Sequence, residues 1–254
     1  MHCTIGVCRD VALPNGNRRG YLKVGGNLTL SGSAELHVAA GPIEGAEFTF
    51  AKGCGFVTVH GTFAINGAAK FVPCCDQYTG GGIVTTADRF TLAAEASVEA
   101  VSLGYAWFAD RVTLAGKIDV TTEAVRTAGA PSGGGIWITA TTRLNVRPTT
   151  QLLAKGGNSA QKFGNGNGGG GRIAFGVWLT EEEVLMLAAT GELPSGSKTV
   201  VGGEEEFLAD YPGTTISIEG GQAANEPDEP LEVCCGSFRF LVGSKKSHTV
   251  ILLR

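Results

Sequence analysis

The sequence is short of charge of either sign, of aromatic side chains, of methionine and of long apolar runs. Charged residues make up 17% of the 254 positions, the formal net charge is −4, and no basic cluster exceeds Lys245-Lys246. Phosphate backbones need a concentrated positive footprint, so nucleic acid is excluded as a partner. No apolar stretch approaches the roughly twenty residues of a membrane helix, which predicts no membrane insertion. The opening Met1-His2-Cys3-Thr4-Ile5-Gly6 has neither the basic nor the apolar region of a signal peptide. The last residues, Thr249-Val250-Ile251-Leu252-Leu253, form a strand-like run with no closing turn. The chain therefore reads as part of a longer polypeptide, with any export signal outside it.

Metal-ligand spacing is missing as well. Cys3, Cys8, Cys54, Cys74, Cys75, Cys234 and Cys235 leave at least one thiol unpaired, and the two adjacent pairs are poorly suited to bridging each other. His2, His37, His60 and His248 lie far from those pairs in sequence, so no metal site is expected. The stretch from Gly156 to Gly171 holds no acid and no Gly-Lys-Ser/Thr ending, which excludes a P-loop and a calcium-binding nonapeptide repeat.

Glycine is abundant instead. It occupies 39 positions while hydrophobic residues reach 43%, so it accompanies a core and does not replace one. The chain also repeats. Gly82-Ile83-Val84-Thr85-Thr86-Ala87-Asp88-Arg89-Phe90-Thr91-Leu92-Ala93 returns 22 residues later as Gly104-Tyr105-Ala106-Trp107-Phe108-Ala109-Asp110-Arg111-Val112-Thr113-Leu114-Ala115. Gly80-Gly81-Gly82-Ile83 returns as Gly133-Gly134-Gly135-Ile136, and Gly168 to Gly171 precedes Arg172-Ile173-Ala174-Phe175. A shorter phrase, two alternating runs around a small residue, starts at Thr29, Thr58, Thr91, Thr113 and Asn145. Period-two alternation predicts strands, and the small central residue permits a corner. A unit of this size cannot bury its own apolar face and must stack on its neighbours. The pattern predicts an all-β fold, a right-handed parallel β-helix (β-solenoid). An antiparallel sandwich of hairpins competes with it, favoured only by Asn66-Gly67, a hairpin-type turn pair.

Leu179 to Gly191 is the one helix expected, with Thr180 and Glu183 as a capping box and Gly191 at the left-handed exit. Beyond it come short β-like runs at Thr199-Val200-Val201, Thr215 to Ile218 and Phe238 to Val242. The expected organisation is an N-terminal segment 1–20, a β-helix 21–178, and a helix with C-terminal β extension 179–254 that contains an acidic loop 225–230.

The phrases at 113–120, at Gly133 to Ala140 and at Gly164 to Ala174 resemble the glycine-rich parallel β-helix passenger regions of bacterial secreted, autotransporter-like surface proteins. The resemblance covers about residues 20–178. It implies an extracellular or cell-surface location. Such passengers include adhesins, stalks and hydrolases, so it implies a fold more than a job.

Equal phase brings Asp88 over Asp110, about 4.8 Å apart if consecutive units stack. Two carboxylates at that separation can serve as nucleophile and acid/base of a retaining glycosidase, or share a calcium ion. Alternatively they turn corners, neutralised by Arg89 and Arg111. Phase also puts Ile83, Tyr105, Ile136, Thr85, Trp107 and Ile138 on the core face and sends Trp137 outward. If Gly170 matches Gly135, Arg172 stands beside Trp137, forming a stacking platform for a sugar ring or a cation–π pair. The expected role is a non-enzymatic structural or adhesive segment that displays loops and meets polysaccharide or host and cell-surface glycans. The alternative is a polysaccharide lyase or glycoside hydrolase on the same scaffold.

Overall fold

A computed structural model describes residues 11–12, 18–19, 21–39, 55–74, 82–100, 104–122, 132–158, 168–221 and 235–244. The strands begin with β1 (Val11–Ala12), β2 (Arg18–Arg19), β3 (Tyr21–Val24), β4 (Leu28–Leu30), β5 (Glu35–Ala39), β6 (Gly55–Ile65), β7 (Lys70–Cys74), β8 (Gly82–Leu92) and β9 (Ser97–Glu99). They continue with β10 (Gly104–Leu114), β11 (Lys117–Asp119), β12 (Gly135–Val146), β13 (Gln151–Leu153) and β14 (Arg172–Val177). Helix α1 (Glu181–Thr190), β15 (Val200–Gly202), helix α2 (Glu204–Asp210), β16 (Thr215–Ser217) and β17 (Ser237–Val242) complete the described chain.

The protein is mostly β, with parallel sheets. A nine-stranded sheet runs β15-β17-β14-β12-β10-β8-β6-β3, with β4 also on β6, and a six-stranded sheet runs β16-β13-β11-β9-β7-β5. Among the described strands, apart from the small β1–β2 pair, only β15 against β17 is antiparallel. Each repeat is one long strand, a corner and one short strand. The 22-residue repeat becomes an unbroken register from Gly82↔Gly104 to Leu92↔Leu114.

Alternation explains the long strands, and its interruption explains their bend. In β10, Trp107 and Ala109 are buried, Asp110 and Arg111 are both exposed, and burial resumes at Val112 and Leu114. Two successive outward residues reverse the phase and turn the strand onto a second side. At the same place β12 spends one more residue, because Ala109 faces Ala140 while Arg111 faces Arg143. Inward residues then stack in columns: Leu22, Val57, Thr85, Trp107, Ile138, Phe175 and Phe240 on the first side, and Leu36, Phe71, Val98, Ile118, Leu152 and Ile216 on the short strands. Trp107 is the heaviest member, stacked on Phe90 at 3.8 Å between ring centres with Phe63 at 5.7 Å. Each such fully buried large apolar side chain contributes about 1.5–3 kcal/mol by leaving water.

Two sequence expectations need correcting. The phrase starting at Thr58 lies inside β6 across its bend, so it is out of step with the others. The true counterpart of Thr29-Leu30 is Ala64-Ile65, and the following Asn66-Gly67 is a corner between parallel segments, not a hairpin turn. Gly67 (φ 61°) sits over Gly32 (φ 66°), and both corners need the left-handed backbone that glycine tolerates. The second correction concerns helices. Helix α1 has the expected capping box and Gly191 exit, but α2 was not foreseen. Its Phe207 is fully buried against the inward rings of Phe175 (4.6 Å), Phe238 (5.1 Å) and Phe240 (5.3 Å). The stretch after residue 178 therefore carries the closing helix as well as β16 and β17, which extend the same two sheets in parallel.

Candidate functional site

Three outer surfaces could carry function, together with the vertex where each short strand hands over to the next long one. The first surface is the bend of the long strands. Asp88 and Asp110 both sit there, exposed, between the paired positions Ala87↔Ala109 and Arg89↔Arg111. The stacking expected from phase is therefore present. Asp110 is already engaged, since its carboxylate accepts the Thr141 hydroxyl and its carbonyl accepts the Thr142 hydroxyl at 2.7 Å. The Thr142 carbonyl in turn accepts the Trp178 indole N–H at 2.9 Å. Arg89 and Arg111 do not neutralise the two acids through any ion pair among the described residues. Glycosidase carboxylates work in a cleft that tunes them apart. These stand on an exposed convex edge.

Trp137 lies on the outer face of the first side, as phase demanded, but half-buried. It packs edge-on against Phe108 at 5.4 Å, and its indole N–H is buried with no hydrogen-bond acceptor among the described residues. Arg172 shares that face and is exposed, yet the assumed register is wrong by two positions. Gly135 faces Arg172, and Trp137 faces Ala174 and Ala106. The reason is that the glycine run before Arg172 ends one residue earlier in phase: Gly134 corresponds to Gly171, so Gly170 matches Gly133 and not Gly135. The structure does not bring Trp137 and Arg172 into direct register.

Sequence reasoning missed the outer face of the short strands. Lys70, Ser97, Lys117, Gln151 and Thr215 form one row there. Glu99 bridges Lys70 (3.5 Å) and Lys117 (3.3 Å), and Lys117 also meets Asp119 at 3.5 Å. Partial burial works to raise Glu99, but the Ser97 hydroxyl and the two lysines outweigh it and hold the carboxyl below its ordinary value. Burial likewise opposes Lys117, which Glu99 and Asp119 nevertheless push upward. With about a third of each side chain exposed, the ladder is worth little individually, roughly 0–1 kcal/mol per pair. The 22-residue phase hides this row, because the offset falls to 20 past the corner: Ser97 faces Lys117, where the repeat would have set it against Asp119.

The vertex explains the glycine clusters. Gly171 N–H donates to the Ala154 carbonyl (2.7 Å), Gly134 N–H to the Val120 carbonyl (3.0 Å) and Gly236 N–H to the Ile218 carbonyl (2.7 Å). Backbones touch there with no room for a side chain: a Cβ on Gly171 would overlap the Gly134 carbonyl oxygen and lie 2.8 Å from the Ala154 Cβ. In chain order 40–54, 75–81, 101–103, 123–131, 159–167 and 222–234 each come between a short strand and the next long one, and they lie outside the described residues. The acidic stretch 225–230 and Cys3, Cys8, Cys54, Cys75 and Cys234 lie outside the described residues.

Among the described residues no group of three or more His, Cys, Asp or Glu side chains is placed to hold a metal ion, and no helix is long and apolar enough to cross a membrane. Comparison of the chain with protein-family models, with curated proteins and with solved structures finds no match.

Proposed function

We propose that this chain is a right-handed parallel β-helix with a structural and adhesive role, a stiff secreted or surface-exposed segment that presents variable connections to glycans. One observation carries the reading. Consecutive repeats pair in parallel and in register, while the chain between them changes in length, from 100–103 between β9 and β10 to 40–54 between β5 and β6, and from a short corner at 147–150 to the excursion 178–214 between β14 and β16. A scaffold that holds its columns constant while its connections change in length suits display, since binding residues concentrate on loops held by a rigid frame. The exposed setting of Asp88 and Asp110 favours this role over catalysis.

The test combines a glycan array with an assay for new reducing ends. Retention of a glycan without cleavage is the expected result. Cleavage that disappears in Asp88→Asn would replace this reading by a lyase or glycoside hydrolase, and absence of retention across neutral and acidic glycans would overturn the adhesive role.

A further inference from the structure

Outside the corner acids and the aromatic pair, the bend places a third group of residues in line. Arg89, Arg111 and Arg143 face one another on the adjacent strands β8, β10 and β12, all exposed on the outer face of the second side. Two positions further along, Thr91, Thr113 and Asn145 form a parallel outer row. At one strand spacing the arginine row covers about 10 Å across three strands.

Like charges directly opposite on neighbouring strands repel. On the short strands this protein answers its own cations, setting Glu99 and Asp119 against Lys70 and Lys117. The arginine row receives no such answer: among the described residues none of the three guanidinium groups has an ion pair or hydrogen bond to another side chain. A repeated, unpaired cation on a flat face, in a molecule that pairs its other stacked cations, is a place where the counter-charge comes from outside.

We propose that this face binds a linear acidic polysaccharide bearing a carboxylate on consecutive sugar units, laid across the strands along the arginine row. Guanidinium groups take carboxylates through two parallel hydrogen bonds. The hydroxyls of Thr91 and Thr113 and the Asn145 amide can both donate and accept, which suits sugar hydroxyls. On the other flank, the Asp88 and Asp110 carboxylates accept from sugar hydroxyls. A single-stranded nucleic acid fits less well. It needs aromatic platforms, which neither row contains, and its phosphates would approach the two acids with few hydroxyl donors to offer them. The proposal rests on the adhesive reading and names the ligand class for it.

Titration calorimetry of the whole chain with a short oligogalacturonate, with its carboxyl-reduced neutral counterpart, and with single-stranded DNA tests this. Binding of the acidic oligomer alone, weakening with salt, is expected. Arg111→Gln should cost about tenfold in affinity, the loss of one charge-assisted contact, while Arg111→Lys restores part of it and Lys117→Gln on the ion-paired face changes nothing. Unaltered thermal midpoints keep misfolding out of the comparison, since all these positions are exposed or partly exposed. Equal affinity for the neutral oligomer, tighter binding of DNA, or an Arg111→Gln variant that binds as the parent does would each overturn the proposal. Binding of neutral glycans with none of the acidic oligomer would do so while leaving the adhesive reading intact.

Discussion

Replacing Phe207 by alanine removes the ring that closes the interior beyond β17. The side chain is fully buried and its ring centre lies 4.6 Å from Phe175, 4.9 Å from Tyr211, 5.1 Å from Phe238 and 5.3 Å from Phe240. Truncation of a phenyl ring in such a site costs about 3–5 kcal/mol through lost transfer energy and the cavity left behind. Phe207 is the one fully buried side chain of this seven-residue helix, with Leu208 and the capping Tyr211 only partly buried against the core. In a stack where each repeat touches only its neighbours, that loss should stay local. Hydrogen exchange resolved by residue is the assay. The expected outcome is faster exchange in β17, β16 and β14, fading toward β10 and leaving β8 protected as in the parent. Two results would refute the reasoning: unchanged protection of β14 and β17, which would mean that α2 closes nothing, or equal loss from β6 to β17, which would mean that the array melts as one unit.

Gly171→Ala should prevent the vertex from forming, because the added carbon overlaps the Gly134 carbonyl, a backbone atom that cannot move aside. A loss of several kcal/mol in denaturant midpoint is expected, whereas alanine at the open Gly25 should leave stability within about 0.5 kcal/mol. Glu183 gives a pH signature. Burial would raise its carboxyl, but hydrogen bonds from Ser197, Thr199 and Thr180 hold it at about 2 instead of 4.5. A depressed folded-state value stabilises above the unfolded one and is lost as pH falls through the folded one, here between about 4.5 and 2. The full difference corresponds to about 3 kcal/mol, so Glu183→Gln should lower stability at neutral pH and flatten the acid limb of a thermal-midpoint profile. An unchanged acid limb would count against this network.

Much of the parallel pairing was legible because the repeat between Gly82 and Ala115 is ungapped, and an ungapped repeat in sequence becomes register in space. Trp107, Thr85 and Ile138 fell on the core face for the same reason. Legibility failed where the phase slips. β6 carries an additional residue at the bend, so Thr58 resembled a second-corner phrase, and the glycine run before Arg172 ends earlier in phase than the one before Ile136, so Arg172 was set two positions out. Helix α2 escaped because Gly202-Gly203-Glu204-Glu205-Glu206 reads as a polar loop, and only the tertiary placement of Phe207 shows what the helix fills. The charge ladder and the arginine row were hidden differently. Their members are far apart in sequence and become neighbours only through registers such as Arg89↔Arg111↔Arg143.

Variation in connection length has an energetic consequence that bears on how binding could change without loss of fold. Between 100–103, joining β9 to β10, and 40–54, joining β5 to β6, the connection grows nearly fourfold, and closing even a contact-free chain of the greater length costs only about 1.2 kcal/mol more by the logarithmic law. Truncating Trp107, by contrast, would cost about 3–5 kcal/mol, because its ring fills the centre of the first-side column beside Phe90 and Phe63. The flat outer faces fall between these extremes. Arg111 is exposed and supports no neighbour, so its replacement is nearly free for the fold, yet its register with Arg89 and Arg143 is inherited from the inward columns and cannot drift. A ligand bound along that row would consequently read the strand spacing itself, whereas one held by the connections would read sequences that the columns leave free to vary.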